Sequence, residues 1–257
     1  MPTPPDAPDD AITPGSRIYE TDDSVAQYLE FHYGAELFGV ANFPLACIAA
    51  AVEHRDGRPW KRGLDVGCAV GRSSFEMARH ADHVDAFDFS AAFVAACERL
   101  QAEGELNYLI PTEGLLREPR CASLKANGLE ETAGRVQFGV GDACRLAAEL
   151  TDYDVVFAGN LIDRLYEPAA FLREIVSRVV PGGLLVITSP YTWLEDYTPV
   201  DRWLGGRPDG GKTLDGMRQV LADSCDLVGC EDIPFVIRET ARKHQHTVAE
   251  ASFWRKH

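Results

Sequence analysis

Short apolar runs alternate with longer amphipathic segments through most of the chain. Five of the runs are typical of buried strands and cover residues 63–68, 84–89, 136–140, 153–158 and 184–188. Apolar residues recur with helical spacing between these runs, which predicts helices over 72–80, 91–102, 168–179 and 214–222. Strands that alternate with helices predict an α/β fold with a mostly parallel sheet, right-handed crossovers and helices on both faces.

Two more helices are predicted before the first strand, and an antiparallel hairpin after the last helix. The first helix follows Asp22 and Asp23, which can cap it, and ends at Gly34. The second begins at Asn42 and runs toward Gly57. The hairpin is predicted from the alternation of apolar and polar residues over 227–237 and 246–253.

Three segments do not fit this alternation. Residues 103–135 form an insertion that is too long for a simple connection, and they predict a short hairpin at 107–110 and a helix over 119–127. Residues 191–211 are rich in aromatic residues, Gly and Pro, and predict a lid loop over a site. Residues 1–16 carry five prolines and no basic residue, which predicts a disordered tail before a domain at 17–257.

Composition excludes several classes of partner. The formal net charge of −15 would repel phosphate backbones, so we expect no nucleic acid as a substrate. No run approaches the roughly 20 apolar residues of a membrane span, and no signal peptide is recognisable. The seven cysteines form no Cys-x-x-Cys pair, which indicates reduced thiols in a cytoplasm and no metal site.

The most informative stretch is residues 64–71, which read LDVGCAVG. An apolar strand leads into a glycine-punctuated turn, and a helix is predicted from Arg72. Gly67 and Gly71 allow a sharp turn and a close approach to a ligand, with Cys68 between them. Asp65 lies at the end of the strand, where open α/β sheets bind ligands.

Further polar residues follow the next three strands. Asp88 comes 23 residues after Asp65, and an acid at about this distance can bind ribose hydroxyls. The third strand leads to Asp142, and the fourth leads to Asn160, which Asp163 and Arg164 follow. Asp163 and Arg164 can also be read as a plain pair at the start of a helix.

This ordered series resembles the S-adenosylmethionine-dependent methyltransferases of the Rossmann-like class, whose first motif is roughly acid-x-Gly-x-Gly-x-Gly. Ala69 stands where the middle glycine would be. The resemblance implies a seven-stranded sheet, with S-adenosylmethionine as the cofactor and S-adenosylhomocysteine as its product. It also implies that Asp142 receives the adenine amino group and that the next backbone N–H meets a ring nitrogen. The expected cofactor contacts are Tyr33, Asp65, Gly67, Cys68, Gly71, Asp88, Phe89, Asp142, Ala143, Asn160 and Leu161.

A nicotinamide dinucleotide is the competing ligand for the glycine turn. Its fingerprint, Gly-x-Gly-x-x-Gly, places a pyrophosphate on a helix N-terminus. The sequence Gly-Cys-Ala-Val-Gly and an acid two residues earlier both disfavour that dianion.

The flanks carry a more specific resemblance, over about 18–254. The stretches YETD at 19–22, QYLEFHYG at 27–34, FGVANFP at 38–44, SPYTWLEDYTP at 189–199, WLGG at 203–206 and RETARK at 238–243 resemble the 4-mercaptohistidine N1-methyltransferases of ovothiol biosynthesis. The family implies methyl transfer to a ring nitrogen of 5-thiohistidine, the same compound as 4-mercaptohistidine. Many members are fused to an iron-dependent sulfoxide synthase, so this shorter chain is expected to work with a separate synthase.

Methyl transfer is an in-line displacement that needs alignment more than a strong base. A zwitterionic acceptor needs a cation for its carboxylate and an acceptor for its ammonium, and two pairs are candidates: Arg164 with Asp163, and Arg242 with Glu195. The residues assigned to substrate positioning are Tyr28, His32, Asp163, Arg164, Trp193 and Tyr197. Tyr33 and Tyr191 are further candidates for side chains that pack around the acceptor ring. Tyr28, His32 and Tyr33 also fit the apolar face of the first helix.

Two alternative functions remain. One is methyl transfer to a different small imidazole, amine or thiol, and the other is a cofactor-binding module without catalysis.

Overall fold

A computed structural model describes residues 14–257 of the chain, so the predicted tail at 1–16 lies almost wholly outside the described residues. The described strands are β1 (Trp60–Val66), β2 (Ala81–Asp88), β3 (Glu105–Glu113), β4 (Leu116–Ser123), β5 (Val136–Val140), β6 (Tyr153–Gly159), β7 (Val179–Ser189), β8 (Cys225–Arg238) and β9 (His244–Lys256). The helices are α1 (Asp22–Tyr33), α2 (Phe43–Glu53), α3 (Arg72–Met77), α4 (Ala91–Glu103), α5 (Pro168–Ser177) and α6 (Thr213–Leu221). Short 3₁₀ helices cover Pro14–Glu20, Glu130–Arg135, Ile162–Arg164 and Val200–Arg202.

The main sheet of the described region has seven strands in the order β5-β2-β1-β6-β7-β9-β8. The first five of these are parallel, and β9 runs antiparallel to both β7 and β8. Buried apolar side chains form a core on each face of the sheet. The predicted α/β fold, with its C-terminal antiparallel hairpin, is therefore confirmed.

The helix boundaries follow from side-chain caps. Thr21 caps α1, because its hydroxyl accepts a hydrogen bond from the Ser24 N–H, so the cap lies one residue before the predicted Asp22 and Asp23. Asn42 caps α2 in the same way through the Leu45 N–H. The C-terminal end of α1 and the N-terminal end of α2 both lie beside the carboxyl edge of the sheet.

The insertion after α4 differs from its prediction. The helix predicted over 119–127 is wrong, because β4 pairs antiparallel with β3 over most of that range. Along β3 the buried positions Leu106, Tyr108 and Ile110 alternate with exposed ones, which is the period of a strand and not of a helix. Pro119 lies opposite the exposed Leu109, where an edge strand tolerates the missing N–H.

Candidate functional site

A cavity of about 430 Å³ opens at the carboxyl edge of the parallel strands. The loops after β1, β2, β5 and β6 form its floor. Side chains from α1, from the lid loop and from the β8–β9 hairpin close its sides. The position agrees with the general rule that open α/β sheets bind ligands at the carboxyl ends of their strands.

The glycine loop after β1 needs its two glycines for different reasons. Gly67 has a φ of 75°, and a Cβ there would lie 3.0 Å from Leu161. Gly71 has a φ of 82°, and its Cβ would meet both Phe138 and Cys97 at 3.0 Å or less. Gly67 and Cys68 line the cavity, whereas Gly71 lies outside its wall and serves packing.

Ala69, at the position of the missing glycine, has a φ of 48°. This is the left-handed region, which costs a residue with a Cβ roughly 1 kcal/mol. The conformation aims its N–H at Asp88, whose Oδ2 accepts it at 2.9 Å. The loop keeps its turn without the middle glycine because this hydrogen bond holds it.

Asp88 presents an oriented carboxylate to the cavity. Besides the contact with Ala69, its Oδ1 accepts the Ser90 N–H at 2.9 Å. Each oxygen has a second lone pair, so both remain able to accept a ligand hydroxyl. Burial raises the pKa of Asp88 to about 6, against the lowering effect of the two backbone N–H groups. The arrangement fits a ribose with two hydroxyls, and Phe89 lines the cavity beside it.

Asp65 lies next to the cavity but not on its wall. It is fully buried, and its Oδ2 accepts the hydroxyls of Ser73 and Ser74, each at 2.6 Å. Its Oδ1 has no hydrogen-bond partner among the described residues. Burial raises the pKa of Asp65 to about 6. An unpartnered carboxylate oxygen behind a glycine loop fits a cationic ligand group such as an ammonium.

Asp142 is held by a residue that the sequence analysis missed. Its Oδ1 accepts the Cys144 N–H at 2.8 Å, and its Oδ2 accepts the Tyr166 hydroxyl at 2.7 Å. Asp142, Ala143 and Tyr166 all line the cavity, which fits the expected adenine contact. Tyr166 could not be found from sequence because it lies 24 residues away in a loop without a periodic signal.

Asn160 follows β6 in a strained conformation, with a φ of 50°. Its N–H donates to the Thr188 carbonyl at 2.8 Å, and its side-chain oxygen accepts the Thr188 hydroxyl at 3.1 Å. Asn160 and Leu161 therefore line the cavity at a fixed position between its two halves. Strain of this kind is common at ligand sites.

The other half of the cavity is aromatic. Tyr28, His32 and Tyr197 line it, together with Arg164. His32 is 5% exposed, and burial, assisted by Arg72, lowers its pKa to about 3, so the imidazole is neutral. Its Nδ1 has no partner among the described residues.

Several predicted residues lie behind the wall and support it. The Tyr33 hydroxyl donates to the Val70 carbonyl at 2.9 Å and so holds the glycine loop from outside. Asp163 is 1% exposed and pairs with Arg164 at 3.0 Å. Trp193 is buried within the lid, where it stacks on Trp203 and its Nε1 donates to Thr213 at 2.9 Å.

The remaining candidates lie elsewhere. Arg242 and Glu195 are exposed and do not line the cavity. Tyr191 donates its hydroxyl to Glu250 at 2.6 Å, which fastens the lid to β9.

Further lining residues were not among the predicted site residues, although Tyr19, Phe31, Phe43 and Thr192 lie in the family-like stretches. They come from elements that are distant along the chain, so neither periodicity nor a local motif groups them. They are Tyr19, Phe31, Phe43, Phe93, Thr192, Phe235, Ile237, Gln245 and Thr247.

Residues 14–257 were searched for two further features, a metal site and a membrane-spanning helix. Within that range, no cluster of three His, Cys, Asp or Glu side chains is arranged to hold a metal ion. In the same described range, no helix has both the length and the apolar character needed to span a bilayer.

The comparisons with known proteins agree with this geometry. Residues 64–187 match the family model of a methyltransferase domain. The norajmaline N-methyltransferase of Rauvolfia serpentina is 29% identical over 170 residues, which cover 64% of this chain and 47% of that protein. A ubiquinone biosynthesis O-methyltransferase of Marinobacter nauticus is 28% identical over 141 residues, 54% of this chain and 48% of that protein. The chain thus spans about half the length of the curated relatives it matches.

Solved structures share the fold at low sequence identity. Magnesium protoporphyrin IX methyltransferase from Synechocystis PCC 6803, with bound S-adenosylmethionine, superposes with a TM-score of 0.55 at 14% identity, over 96% of this chain and 99% of that one. The N-methyltransferase NodS from Bradyrhizobium japonicum WM9, with S-adenosylhomocysteine, gives 0.51 at 13% identity, over 91% and 99%. The [4+2]-cyclase SpnF gives 0.53 at 20% identity, over 84% and 74%.

The fold and the matched segment are those of a class I S-adenosylmethionine-dependent methyltransferase domain. The methyltransferase resemblance of the segment at 64–71 agrees with this match. Class I folds also host other reactions, so the reaction and the acceptor have to be argued from the site.

Proposed function

We propose that this chain transfers the methyl group of S-adenosylmethionine to a ring nitrogen of 5-thiohistidine. The observation that carries the proposal is the continuity of the cavity. The same cavity runs from Asp88 and Asp142, past Asn160, to Arg164 and a wall of aromatic rings. A cofactor in the first half would leave the second half for a planar acceptor. The resemblance of the segments at 27–34 and 189–199 to thiohistidine methyltransferases supports the choice of acceptor.

Residues of the first half would hold the cofactor. Asp88 would accept the ribose hydroxyls, and Asp142, oriented by Tyr166, would accept the adenine amino group. The loop at Gly67 and Cys68 would lie against the methionine end, near the unpartnered oxygen of Asp65. When bound, S-adenosylmethionine supplies an electrophilic methyl group on a sulfonium.

Residues of the second half would align the acceptor. A neutral imidazole nitrogen carries its own lone pair, so the main task is to hold it about 3 Å from the methyl, opposite the leaving sulfur. Tyr28, Tyr197 and the neutral His32 would pack against the ring, and Arg164 would attract the acceptor carboxylate. The buried His32 imidazole can accept a hydrogen bond from the other ring nitrogen and so select the reactive tautomer.

The setting of the reaction is part of the proposal. The seven cysteines are all free thiols, which supports a reducing compartment such as the cytoplasm. A separate sulfoxide synthase would supply the thiolated histidine.

The test is incubation of the full chain with S-adenosylmethionine and either 5-thiohistidine or histidine, with NMR of the products. We expect a new N-methyl signal with thiohistidine and little with histidine. Asn160→Ala should lose turnover more than cofactor affinity, because Asn160 lies where the two halves meet. An N-methyl product from another imidazole or amine alone would reassign the acceptor. Tight cofactor binding with no product from any acceptor would favour a binding module.

A further inference from the structure

Four side chains from four separate segments meet in the acceptor half of the cavity. They are Arg164 from the 3₁₀ helix after β6, Tyr197 from the lid, Tyr28 from α1 and Tyr19 from the 3₁₀ helix before α1. The Arg164 guanidinium carbon lies 4.9 Å from the centre of the Tyr197 ring. The Tyr197 hydroxyl points to the Tyr19 hydroxyl at 3.4 Å. The Tyr19 ring packs edge-on against Tyr28, with centroids 6.0 Å apart.

Tyr19 is fixed in this position by contacts on both sides of its backbone. The Ser90 hydroxyl donates to the Tyr19 carbonyl at 3.0 Å. The carboxylate of Glu20 accepts the N–H groups of Ala91 and Ala92 at the start of α4. The segment that carries Tyr19 is therefore attached to the same helix that begins beside Asp88.

Arg164 retains donor capacity after its protein contacts. Its Nη1 donates to the Asp163 carboxylate at 3.0 Å, to the Asp163 carbonyl at 2.9 Å and to the Thr192 carbonyl at 2.8 Å. Its Nη2 donates to the Thr192 hydroxyl at 3.3 Å, and the guanidinium also hydrogen-bonds with the Tyr19 hydroxyl. A guanidinium carries five N–H groups, so this contact pattern orients the side chain and leaves N–H groups for a ligand.

Charge along the cavity is strongly asymmetric. Of the described lining residues, the ionised ones are Asp88, Asp142 and Arg164, since His32 is neutral. The two acids lie in the cofactor half. Asp163 is buried behind the wall; its Oδ2 is paired with Arg164, and its Oδ1 has no hydrogen-bond partner among the described residues. On the wall itself, Arg164 is the charged group beside Tyr19 and Tyr197, whereas Asp88 faces Tyr28 from the cofactor half.

We propose that Arg164, with the hydroxyls of Tyr19 and Tyr197, forms a carboxylate-binding subsite that selects the acceptor by its carboxylate and not by its ammonium group. The inference rests on the proposed function, because it assigns one end of the acceptor in the same cavity. Burial raises the pKa of Tyr19 to about 12 and raises that of Tyr197 as well, so both hydroxyls keep their protons at neutral pH. The Tyr197 hydroxyl donates to the Tyr19 hydroxyl and so leaves the Tyr19 proton for the carboxylate. Charge-assisted hydrogen bonds in a partly desolvated site are the strong ones.

The experiment measures binding by calorimetry to the full chain saturated with S-adenosylhomocysteine. One set of ligands is 5-thiohistidine, its deaminated propionate and its decarboxylated amine. A second pair without sulfur is imidazole-4-acetate and histamine. We expect the deaminated propionate to bind within about threefold of thiohistidine and the decarboxylated amine to bind roughly 10- to 100-fold more weakly, the loss typical of charged hydrogen bonds.

Variants separate the subsite from general damage. Arg164→Gln should weaken binding of the three ligands that carry a carboxylate roughly 10- to 100-fold and leave the two amines unchanged. Arg242→Gln, an exposed arginine outside the cavity, should change nothing. If Arg164→Gln fails to bind S-adenosylhomocysteine, Tyr197→Phe serves instead, with an expected loss of about 3- to 10-fold for carboxylates alone.

The outcomes distinguish the two proposals. Equal affinity for the carboxylate and amine ligands, or no binding by any of them, would overturn the subsite. A preference for imidazole-4-acetate over histamine that Arg164→Gln abolishes, with no methylation of thiohistidine, would support the subsite and reject the proposed acceptor. An equal loss of carboxylates and amines in Arg164→Gln would indicate a merely structural role.

Discussion

Single carboxylates at the strand ends carry much of the chemistry of this site. Asp88 is oriented by the N–H groups of Ala69 and Ser90, and Asp65 by the hydroxyls of Ser73 and Ser74. Burial raises the pKa of each to about 6. Burial therefore destabilises the charged form of both carboxylates. A ligand that donates hydrogen bonds to them offsets part of this free-energy cost.

This leads to a pH prediction for cofactor binding. Ligand donors favour the charged carboxylate, so binding lowers its pKa and releases protons below about pH 6. By linkage, affinity for S-adenosylhomocysteine should fall as the pH drops, by about fivefold between pH 6 and pH 5 if one carboxylate dominates. Calorimetry in buffers of different ionisation enthalpy would count the protons released. Affinity independent of pH over this range would contradict the assignment.

Substitution of Asp88 isolates its share of this effect. Asp88→Asn should weaken binding at pH 7 by about 2 kcal/mol, roughly 30-fold, and flatten the pH profile. Asp82→Asn, at an exposed position of the same strand, is the matched control and should leave both unchanged.

At the scale of elements, the β3–β4 hairpin shows where local signals mislead. Pro119 and the residues after it are compatible with the first turn of a helix, because proline is common there. The segment forms a strand because it pairs with β3, and the hairpin buries one face against α1 and α4. The alternation is visible only once the partner strand is known.

Consecutive residues of β3 test this alternation. Ile110 is 2% exposed and Leu109 is 55% exposed. Ile110→Ala should lower the free energy of unfolding by roughly 2–4 kcal/mol, because it removes buried methyl groups and leaves a cavity. Leu109→Ala should change it by less than about 0.5 kcal/mol. Urea unfolding of both variants would measure the difference, and equal losses would be inconsistent with this register.

At the scale of the whole molecule, the cavity joins segments from nearly the full described chain. Its wall includes Tyr19 near one end and Thr247 near the other, with the sheet between them. A ligand that fills it should therefore stabilise the fold cooperatively. One bound at 100 times its dissociation constant adds about 2.7 kcal/mol.

We therefore expect S-adenosylhomocysteine at that concentration to raise the melting temperature by roughly 5–10 °C for a domain of this size. Scanning calorimetry would measure the shift. NAD at the same concentration should produce none, because the loop at 64–71 disfavours a pyrophosphate. A comparable shift with NAD would revive the dinucleotide alternative.

The sequence by itself determined the order of strands and helices outside the insertion at 103–135, and the positions of Asp65, Asp88, Asp142 and Asn160 at the strand ends. These signals are local: an apolar run, a turn and an acid lie within a few residues of one another. The parallel sheet follows from them, because strands that alternate with helices have few other arrangements.

Only the tertiary structure decided which of the candidate side chains face the cavity. Tyr33, Asp163 and Trp193 carry the same sequence signals as Tyr28, Arg164 and Tyr197, yet they support the wall from behind. Tyr19 enters the site from a short 3₁₀ helix and Tyr166 from a loop, and neither segment has a periodic signal. Two neighbours in one segment can differ in whether their side chains point into the cavity or away from it. That direction is set when the segment packs, by contacts with residues far away in the sequence.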